Sequence, residues 1–314
     1  MHLRDVISKY GILFALIALI LVAGILSPAF LKIQNIINIF WQISYIGIIA
    51  IGMTFIMIGG GIDLSVGSFM ALMGALAIQT VNALGDTVGS VILSILITIA
   101  VGALLGAGSG FLVTKGRIPP FVVTLGAMAI YRSLVLNFAN GGVYMSRSTK
   151  YSSIGMMRIL ELPVPMIVFL IYVIIASIIL ERTKFGRYVY AIGANETAAL
   201  YSAINVDKIR IATYVIGGIS VSISAILISS MMGSVSSSST GNGFELDAIA
   251  AAVIGGTSLS GGKGKIVGTF LGALVLGVIN NMLVMLNVAV YLQGLVKGLI
   301  IISAVFLQNF RRSE

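Results

Sequence analysis

The sequence has no cysteine, one histidine (His2) and one tryptophan (Trp41). Without cysteine, disulfides, thiol catalysis and cysteine-ligated metals are excluded. A single histidine beside the terminus argues against an imidazole proton relay and against a histidine metal site. Serine and aspartate therefore lack the usual partner for nucleophilic catalysis, and we predict no catalytic residue. We likewise expect no metal and no cofactor in this chain.

Charged residues are also scarce. They make up 9% of the chain, whereas soluble domains carry about 25%. Hydrophobic residues account for 58%, a composition typical of a polytopic membrane protein. No stretch is polar enough for a separate soluble domain, so residues 1–314 are predicted to form one transmembrane domain. The first apolar run resembles a signal peptide, but more membrane follows it, and we interpret it as a retained span.

Ten apolar segments indicate an all-α membrane protein with about ten transmembrane helices. They cover residues 10–26, 42–59, 68–84, 90–112, 121–139, 163–180, 211–231, 245–257, 266–286 and 290–308. Two of them, 68–84 and 245–257, are short for spans and adjoin glycine-rich breaks. The breaks at 59–68 and 255–264 resemble each other, by internal duplication or by chance. Broken helices at matching places are typical of a transport path.

The distribution of basic residues predicts the orientation. With the N-terminus inside, 13 of the 19 Lys and Arg residues fall on the inner side and 4 on the outer side. The remaining two, Arg132 and Lys297, lie within spans. This bias predicts that both termini are cytoplasmic, and it explains the net charge of +9 without a nucleic acid. Trp41 is expected at the outer end of the second span, as an interfacial indole.

The long polar block at 181–210 carries five basic residues and is predicted to be a cytoplasmic loop. We predict one short helix in it, with Asn195 as N-cap, Glu196 in the first turn and Asn205 in the left-handed conformation at its end. Its side chains are mostly small, so a soluble partner can approach closely and move it. The expected contact residues are Gly193, Asn195, Glu196, Ala198, Ala199, Tyr201 and Ser202.

Polar side chains inside the spans are mostly hydroxyls and amides, which suit an uncharged hydroxylated solute better than an ion. We predict that a translocation path includes Asp63, Ser65, Asn137, Ser220, Ser224, Asn280 and Asn281. Hydrogen bonding between helices explains such groups equally well. For the acids Asp63, Glu245 and Asp247, a position at helix N-termini is the alternative. Arg132 and Lys297 have no evident partner, and they could pair, snorkel or face a water-filled path.

Three further segments have two interpretations each. The outer loops 140–162 and 233–243 are solvated connections or, above all for the first, docking surfaces for an external protein. Residues 256–264 superficially resemble a phosphate-binding loop, but Gly264 follows Lys263 where Ser or Thr is required. A cytoplasmic turn is the better interpretation, so this chain binds no ATP by such a motif.

Three stretches resemble the ribose-type permeases of bacterial ABC importers: 60–68 (Gly-Gly-Ile-Asp-Leu-Ser-Val-Gly-Ser), 186–196 and 245–264. The resemblance extends from about residue 40 to 308. It implies a type II importer permease with ten spans in the bacterial inner membrane. It also implies a second permease chain, identical or related, two cytoplasmic ATPases that bind Mg-ATP, and an external solute-binding protein.

The resemblance further implies that the region 186–206 carries the coupling helix that docks on the ATPase. The sequence departs from the family at Ala194 and Ala203, where Gly is more common, and at Leu200, where Arg is common. These departures leave the details of the ATPase contact open.

The leading hypothesis is therefore an ATP-driven importer of a monosaccharide, a pentose or a hexose. A nucleoside or autoinducer-2 is the alternative substrate within the same family. A different class, a secondary transporter driven by H⁺ or Na⁺, would use Asp63 or Glu245 as its coupling acid. A membrane scaffold without transport is the third possibility, and the polar residues in the spans argue against it.

Overall fold

The computed structural model describes residues 3–310, with side chains from residue 11 onward except at a few positions after 289. His2, Arg311, Arg312 and the side chains of Arg4 and Lys9, on which the predicted position of the termini partly depends, lie outside this description.

The described chain is mainly helical, as the all-α prediction requires. The helices are α1 Leu3–Leu26, α2 Ile33–Ile58, α3 Val66–Leu84, α4 Val88–Thr114, α5 Pro120–Phe138, α6 Thr149–Met156, α7 Val164–Arg182, α8 Lys184–Ala194, α9 Glu196–Tyr201, α10 Val206–Met232, α11 Phe244–Ile254, α12 Ile266–Met285 and α13 Val290–Phe310. Four short strands are β1 Val143–Met145, β2 Arg158–Ile159, β3 Leu162–Pro163 and β4 Ser234–Ser236. Among the residues described, seven helices are long and apolar enough to cross a membrane: α2, α3, α4, α5, α7, α10 and α12.

Helix α10 lies between α4 and α2 at the centre of the protein. Glycines bring α4 close to it: a side chain at Gly106 would overlap the carbonyl oxygen of Tyr214, and one at Gly102 would overlap Ser222. The hydroxyl of Ser222 donates to the carbonyl oxygen of Thr98 at 3.1 Å and so joins the two helices. Residues 47–58 of α2 form the opposite wall and are all buried. Small residues thus allow the close helix packing that replaces hydrophobic burial within a membrane.

Two irregular segments interrupt the helices, as the glycine-rich breaks predict. One, 59–65, joins α2 to α3, and the other, 255–265, joins α11 to α12. They contact each other, since the N–H of Gly262 donates to the carbonyl oxygen of Ile58 at 2.9 Å. Helix α11 has only 11 residues, too few for a full span. The internal duplication of the two breaks stays a hypothesis.

The segments predicted to lie outside the membrane fold onto the helices; "outer" denotes the side of these segments, and "inner" denotes the side of residues 181–210. Strands β1 and β4 pair antiparallel, with Val143 opposite Ser236, and residues 237–243 then turn back toward the protein interior; we call these residues the re-entrant turn. Helix α6 is anchored by Tyr151, which is fully buried and shares a hydrogen bond of 2.7 Å with the hydroxyl of Ser229. Both outer segments, expected above to be solvated connections or docking surfaces, are therefore packed structures; the docking role stays a prediction.

The re-entrant turn contacts the first turn of α3. A side chain at Gly67, in the first turn of α3, would overlap the carbonyl oxygen of Gly241. Gly74, two turns higher on α3, faces Val235 of β4 and Ser229 near the end of α10. Since each helical residue rises 1.5 Å, Gly241 lies roughly 15 Å below the end of α10 and roughly 25 Å below the end of α3. The turn therefore reaches well between the helices.

Helix α2 begins at Ile33, nine residues before the apolar segment 42–59. Trp41 therefore lies two turns inside the helix, and its interfacial position stays a prediction. The polar residues that obscured this start are satisfied internally: the amides of Asn35 and Asn281 exchange hydrogen bonds of 3.0 and 2.9 Å. Asn205 does not end the short helix in the left-handed conformation. Ala203 has that conformation, with a φ of 58°.

Asn205 instead begins the next helix. Its side-chain oxygen accepts a hydrogen bond of 3.0 Å from the N–H of Lys208 and so caps α10. Asparagine suits both positions, but a short side chain that accepts from the third following N–H favours the N-cap. The sequence pattern also missed α8, which precedes the predicted short helix.

Candidate functional site

Helix α8 lies across the end of α2 and the second glycine-rich break. Its Val189 and Ile192 are buried against the ends of the spans. The hydroxyl of Tyr190 donates to the carbonyl oxygen of Gly264 at 2.7 Å. A side chain at Gly193 would overlap the carbonyl oxygen of Ile58 and come within 2.6 Å of the nitrogen of Gly262. Gly193 therefore lies where α8 touches the end of α2 and the second break, and its predicted role as a partner contact stays a prediction.

Helix α9 is short, and its cap agrees with the prediction. The side-chain oxygen of Asn195 accepts a hydrogen bond of 3.0 Å from the N–H of Ala198. Ala199 is only 3% exposed and packs with Ile192 and Val206. The two alanines therefore do not share one exposed face, and Ala199 is a correction to the predicted contact set: it supports α9 from beneath. The exposed residues are Glu196, Ala198, Tyr201 and Ser202, together with Asn195.

The exposed face of α9 combines small and aromatic groups. The side chain of Tyr201 is 89% exposed and that of Leu200 is 56% exposed. Such an aromatic, apolar protrusion is typical of surfaces that enter a groove of another protein. The contact role of these residues stays a prediction.

Ion pairs fix the inner end of α10. Arg210 contacts Glu196 of α9 at 2.6 Å, and Lys115 at the end of α4 contacts Asp207 at 2.5 Å. The first pair joins the start of α9 to the start of α10. Displacement of α9 must therefore move α10, α8 or both.

The break before α3 is ordered by an aspartate. Asp63 and Ser65 are 4% and 1% exposed, and one carboxylate oxygen of Asp63 accepts from the N–H and the hydroxyl of Ser65 at 2.8 and 2.6 Å. The hydroxyl of Tyr214 donates to the carbonyl oxygen of Ile62 at 3.1 Å. These bonds match the helix-end alternative for Asp63; a role in a translocation path stays a prediction.

Above this break, α5, the re-entrant turn and the start of α11 border a cavity of about 490 Å³ that opens widely to the protein surface, where Ala129, Ser133 and Asn242 are exposed. It is lined by Ser68, Met128, Ala129, Arg132, Ser133, Leu136, Ser238, Asn242 and Glu245. The guanidinium of Arg132 donates to the carbonyl oxygens of Ser237 and Thr240 at 2.8 and 3.0 Å, and to the amide oxygen of Asn242 at 2.9 Å. Arg132 thus holds the turn in place.

A second cavity, of about 190 Å³, lies beside α11. Asp247, Asn280 and Gln42 supply its polar lining, and the rest is aliphatic. Asp247 forms an ion pair of 2.9 Å with Lys297 of α13. Lys297 therefore has the partner that the sequence did not reveal. Glu245 and Asp247 both occupy the first turn of α11, in agreement with the helix-end alternative.

The other predicted path residues lie apart from these cavities. Ser220 shares a hydrogen bond of 2.6 Å with Tyr172 of α7, and Ser224 donates to the carbonyl oxygen of Tyr45 of α2 at 2.9 Å. Both serines are fully buried. Asn281 is the partner of Asn35 described above, and Asn137 is exposed near the end of α5. For the serines and Asn281 this arrangement favours hydrogen bonding between helices; their path role stays a prediction.

Sequence reasoning missed most of the larger cavity. Arg132 stood out as a charge within a span, but its acceptors lie more than 100 positions later in the chain. The run of hydroxyl side chains before α11 was the signal in the sequence for this cavity. It did not indicate that the run lies between the helices, because turn residues are usually solvated.

On the outer surface, Asp86 anchors the start of α6. It accepts hydrogen bonds from the hydroxyls of Ser148 and Thr149 at 2.5 and 2.7 Å and from the N–H of Lys150 at 3.1 Å. These bonds lower the pKa of Asp86 to about 2. Among the residues searched, no group of three or more metal-ligating side chains is found.

Comparison with known proteins gives a consistent result. The family described as branched-chain amino acid transport system / permease component matches residues 35–305. The ribose import permease protein RbsC of Bacillus subtilis (strain 168) is 40% identical over 310 residues, 98% of this chain and 95% of the relative. RbsC of Escherichia coli (strain K12) is 42% identical over 301 residues, 95% and 92% of the two chains.

A hexose permease is also similar. The D-allose transport system permease protein AlsC of Escherichia coli (strain K12) is 36% identical over 308 residues, 96% of this chain and 92% of the relative. No solved structure matches the chain significantly.

Proposed function

Since this chain belongs to the branched-chain amino acid transport system / permease component family, and to its ribose-type members, we propose that it carries a monosaccharide across the bacterial inner membrane. The observation that carries this proposal is the similarity to ribose permeases over nearly the whole chain. The relatives include a pentose and a hexose permease, so the proposed substrate class is monosaccharides.

The proposed mechanism is ATP-driven import. Partner ATPases in the cytosol bind Mg-ATP, and an external solute-binding protein delivers the sugar to a pair of permease chains. We propose about ten spans, with α1, α11 and α13 added to the seven long helices, and both termini cytoplasmic. The pair consists of two copies of this chain or of this chain and a related one.

The contacts of α8 and α9 support a coupling role for residues 181–210. An ATPase that moves α9 pulls on α8, because the two helices are joined through Asn195. Helix α8 touches the end of α2 through Gly193, and it touches the second break through Gly193 and through the bond from Tyr190 to Gly264. The end of α2 leads through the first break into α3, whose Ser68 lines the larger cavity, and the second break leads into α12. A displacement at the inner surface can therefore reach the start of α3 and, with it, the larger cavity.

Uptake into vesicles tests the function. The protein is reconstituted with its ATPase and binding protein, and uptake of labelled pentoses and hexoses is measured with and without ATP. ATP-dependent uptake that survives an uncoupler supports the importer. Uptake without ATP that collapses with the ion gradient would support the secondary-transporter alternative, with Asp63 or Glu245 as coupling acid. ATP-dependent uptake of a nucleoside or autoinducer-2 instead of any sugar would change the substrate class alone.

The coupling surface is tested by Ala198→Glu. An unpaired charge buried at an interface costs several kcal/mol, so we expect ATP-dependent uptake to fall by about tenfold or more. Ala198 is exposed, so the fold should tolerate the change, whereas Ala199 is buried and unsuitable. The matched control is Ala83→Glu, which makes the same substitution at an exposed position in the last turn of α3, outside the predicted docking segments. Normal uptake by Ala198→Glu would contradict a docking role for α9.

A further inference from the structure

The cavity between α5 and the re-entrant turn has an unusual composition for its depth. Gly241 of the turn lies well between the helices, in contact with Gly67 in the first turn of α3. The polar members of the lining are Ser68, Arg132, Ser133, Ser238, Asn242 and Glu245. Polar and charged groups exposed to lipid at such a depth are costly. The space they surround is therefore a site for water or for a polar solute.

Arg132 is held there by neutral oxygens. Its three hydrogen bonds go to two carbonyl oxygens and one amide oxygen, and among the described residues it forms no ion pair within 4.0 Å. Glu245 supplies a carboxylate to the same lining. A guanidinium has five N–H donors, so donors remain after these three bonds. Arg132 keeps its charge and part of its donor capacity for a ligand.

The rest of the lining supplies complementary groups. Serine hydroxyls at 68, 133 and 238 both donate and accept, and the carboxylate of Glu245 accepts. Each hydroxyl of a sugar likewise donates one hydrogen bond and accepts others. The cavity volume of about 490 Å³ lies within the range of roughly 300–1,000 Å³ found for small-molecule sites. Aliphatic groups of Met128 and Leu136 cover the apolar faces that a sugar ring presents.

We infer that this cavity is the site where the sugar contacts the permease during transport, with Arg132 and Ser133 facing it from α5 and Glu245 from α11. The inference rests on the proposed function. If the sugar binds here, this chain contributes to the choice of sugar, because the width of the cavity limits which sugars can pass.

The first test narrows the cavity with Ser133→Leu. The hydroxyl of Ser133 is exposed, so the substitution changes volume more than it changes folding. We expect hexose uptake to fall about tenfold more than pentose uptake, since steric discrimination of this kind is worth 10-fold or more. ATP hydrolysis stimulated by the binding protein should persist. Gly108→Leu on the exposed side of α4 is the matched control, because a side chain there meets no atom within 4 Å.

The second test uses the natural absence of cysteine. Ser133→Cys or Ser238→Cys is introduced into the full complex, and modification by a small water-soluble thiol reagent is followed by the mass of this chain. Ribose or allose, supplied with its binding protein and ATP, should slow modification about threefold if the site is two-thirds occupied. Ala83→Cys in the last turn of α3, which is exposed and lies outside the predicted docking segments, should react at the same rate with and without sugar.

The outcomes separate the two claims. Wild-type uptake without ATP dependence overturns the proposed function and the inference with it. Normal wild-type uptake, combined with unchanged selectivity of Ser133→Leu and no protection of either cysteine, overturns the inference alone. If Ser133→Leu loses assembly, the cysteine variants decide: sugar-dependent protection supports the site, and its absence overturns it.

Discussion

Arg132 and Lys297 are two cations in membrane helices, and they differ in their hydrogen-bonding partners and in the cavities beside them. Lys297 of α13 meets the carboxylate of Asp247 at 2.9 Å, beside a cavity of about 190 Å³ with a largely aliphatic lining. Arg132 of α5 binds two carbonyl oxygens and an amide oxygen, at a cavity of about 490 Å³ with six polar side chains.

Lys297 is a structural charge, which is paired with a carboxylate of the protein. Arg132 is an available charge, which has no carboxylate partner and can still bind a ligand. An ion pair cancels its own field and uses the acceptors of the carboxylate, so Lys297 and Asp247 chiefly join α13 to the short helix α11. A guanidinium bound to neutral oxygens retains its charge. Charged groups within spans face the bundle interior or a water-filled cavity, and they pair with one another or with backbone carbonyls. The two sites therefore make opposite predictions for stability and for transport.

The largest expected effect on stability comes from Lys297→Met. Asp247 is only 10% exposed in its side chain and would be left without a cation. Removing one partner of a buried pair costs about 3 kcal/mol or more. We expect a lower thermal unfolding midpoint in detergent. The double variant Lys297→Met with Asp247→Leu should recover most of the loss, because two apolar groups need no partner.

This rescue is the decisive part of the comparison. Uptake in the double variant should approach that of the wild type if the pair serves only to hold α11 against α13. A double variant that is stable but does not transport would show that the pair also acts in the transport cycle. The distinction between a structural and an available charge would then not hold.

Arg132→Gln should have a smaller effect on stability and a larger effect on uptake. The oxygens that lose their hydrogen bonds to Arg132 lie at a half-exposed site, where water can replace part of each bond. We therefore expect the free energy of unfolding to fall by about 2 kcal/mol. Uptake should fall further than stability explains, because both the turn and the cation are altered. Measurement of the unfolding midpoint and of uptake per folded protein separates the two effects. Proportional losses would place Arg132 in the same structural class as Lys297.

The helices were largely predictable from the sequence, whereas the cavities were not. Apolar runs located the spans, and Asn195 followed by Glu196 located the start of α9 correctly. The start of α2 was predicted nine residues too late because the amides of Asn35 and its neighbours interrupt the apolar pattern in its first turns. Long-range pairs such as Lys297 with Asp247 are invisible in a local pattern. They depend on which helices pack together.

The predicted contact residues near α9 also show the limit of a local sequence pattern. Gly193 was assigned to the partner surface because it adjoins α9, yet its neighbours are Ile58 and Gly262, far away in the chain. Ala199 was assigned by composition, and only the burial of its methyl group against Val206 reveals its inward position. Local chemistry predicted which segments matter, and tertiary packing decided which side of each segment faces a partner.

The smallest effect is expected for a third pair, Lys115 with Asp207, which lies at the inner surface. Its chemistry matches that of Lys297 with Asp247, but the side chains are 59% and 38% exposed. Exposed pairs contribute about 0.2–1 kcal/mol, and salt screens them. A double-mutant cycle with Lys115→Met and Asp207→Leu should therefore give a coupling energy that disappears at about 1 M salt.

The same cycle at Lys297 and Asp247 should give a larger coupling that salt changes little, because buried pairs are screened much less. Equal coupling energies and equal salt dependence at the two pairs would contradict the assigned burial of Asp247 within the membrane. They would also remove the reason to treat Arg132, with its neutral partners and its polar cavity, as a different kind of site.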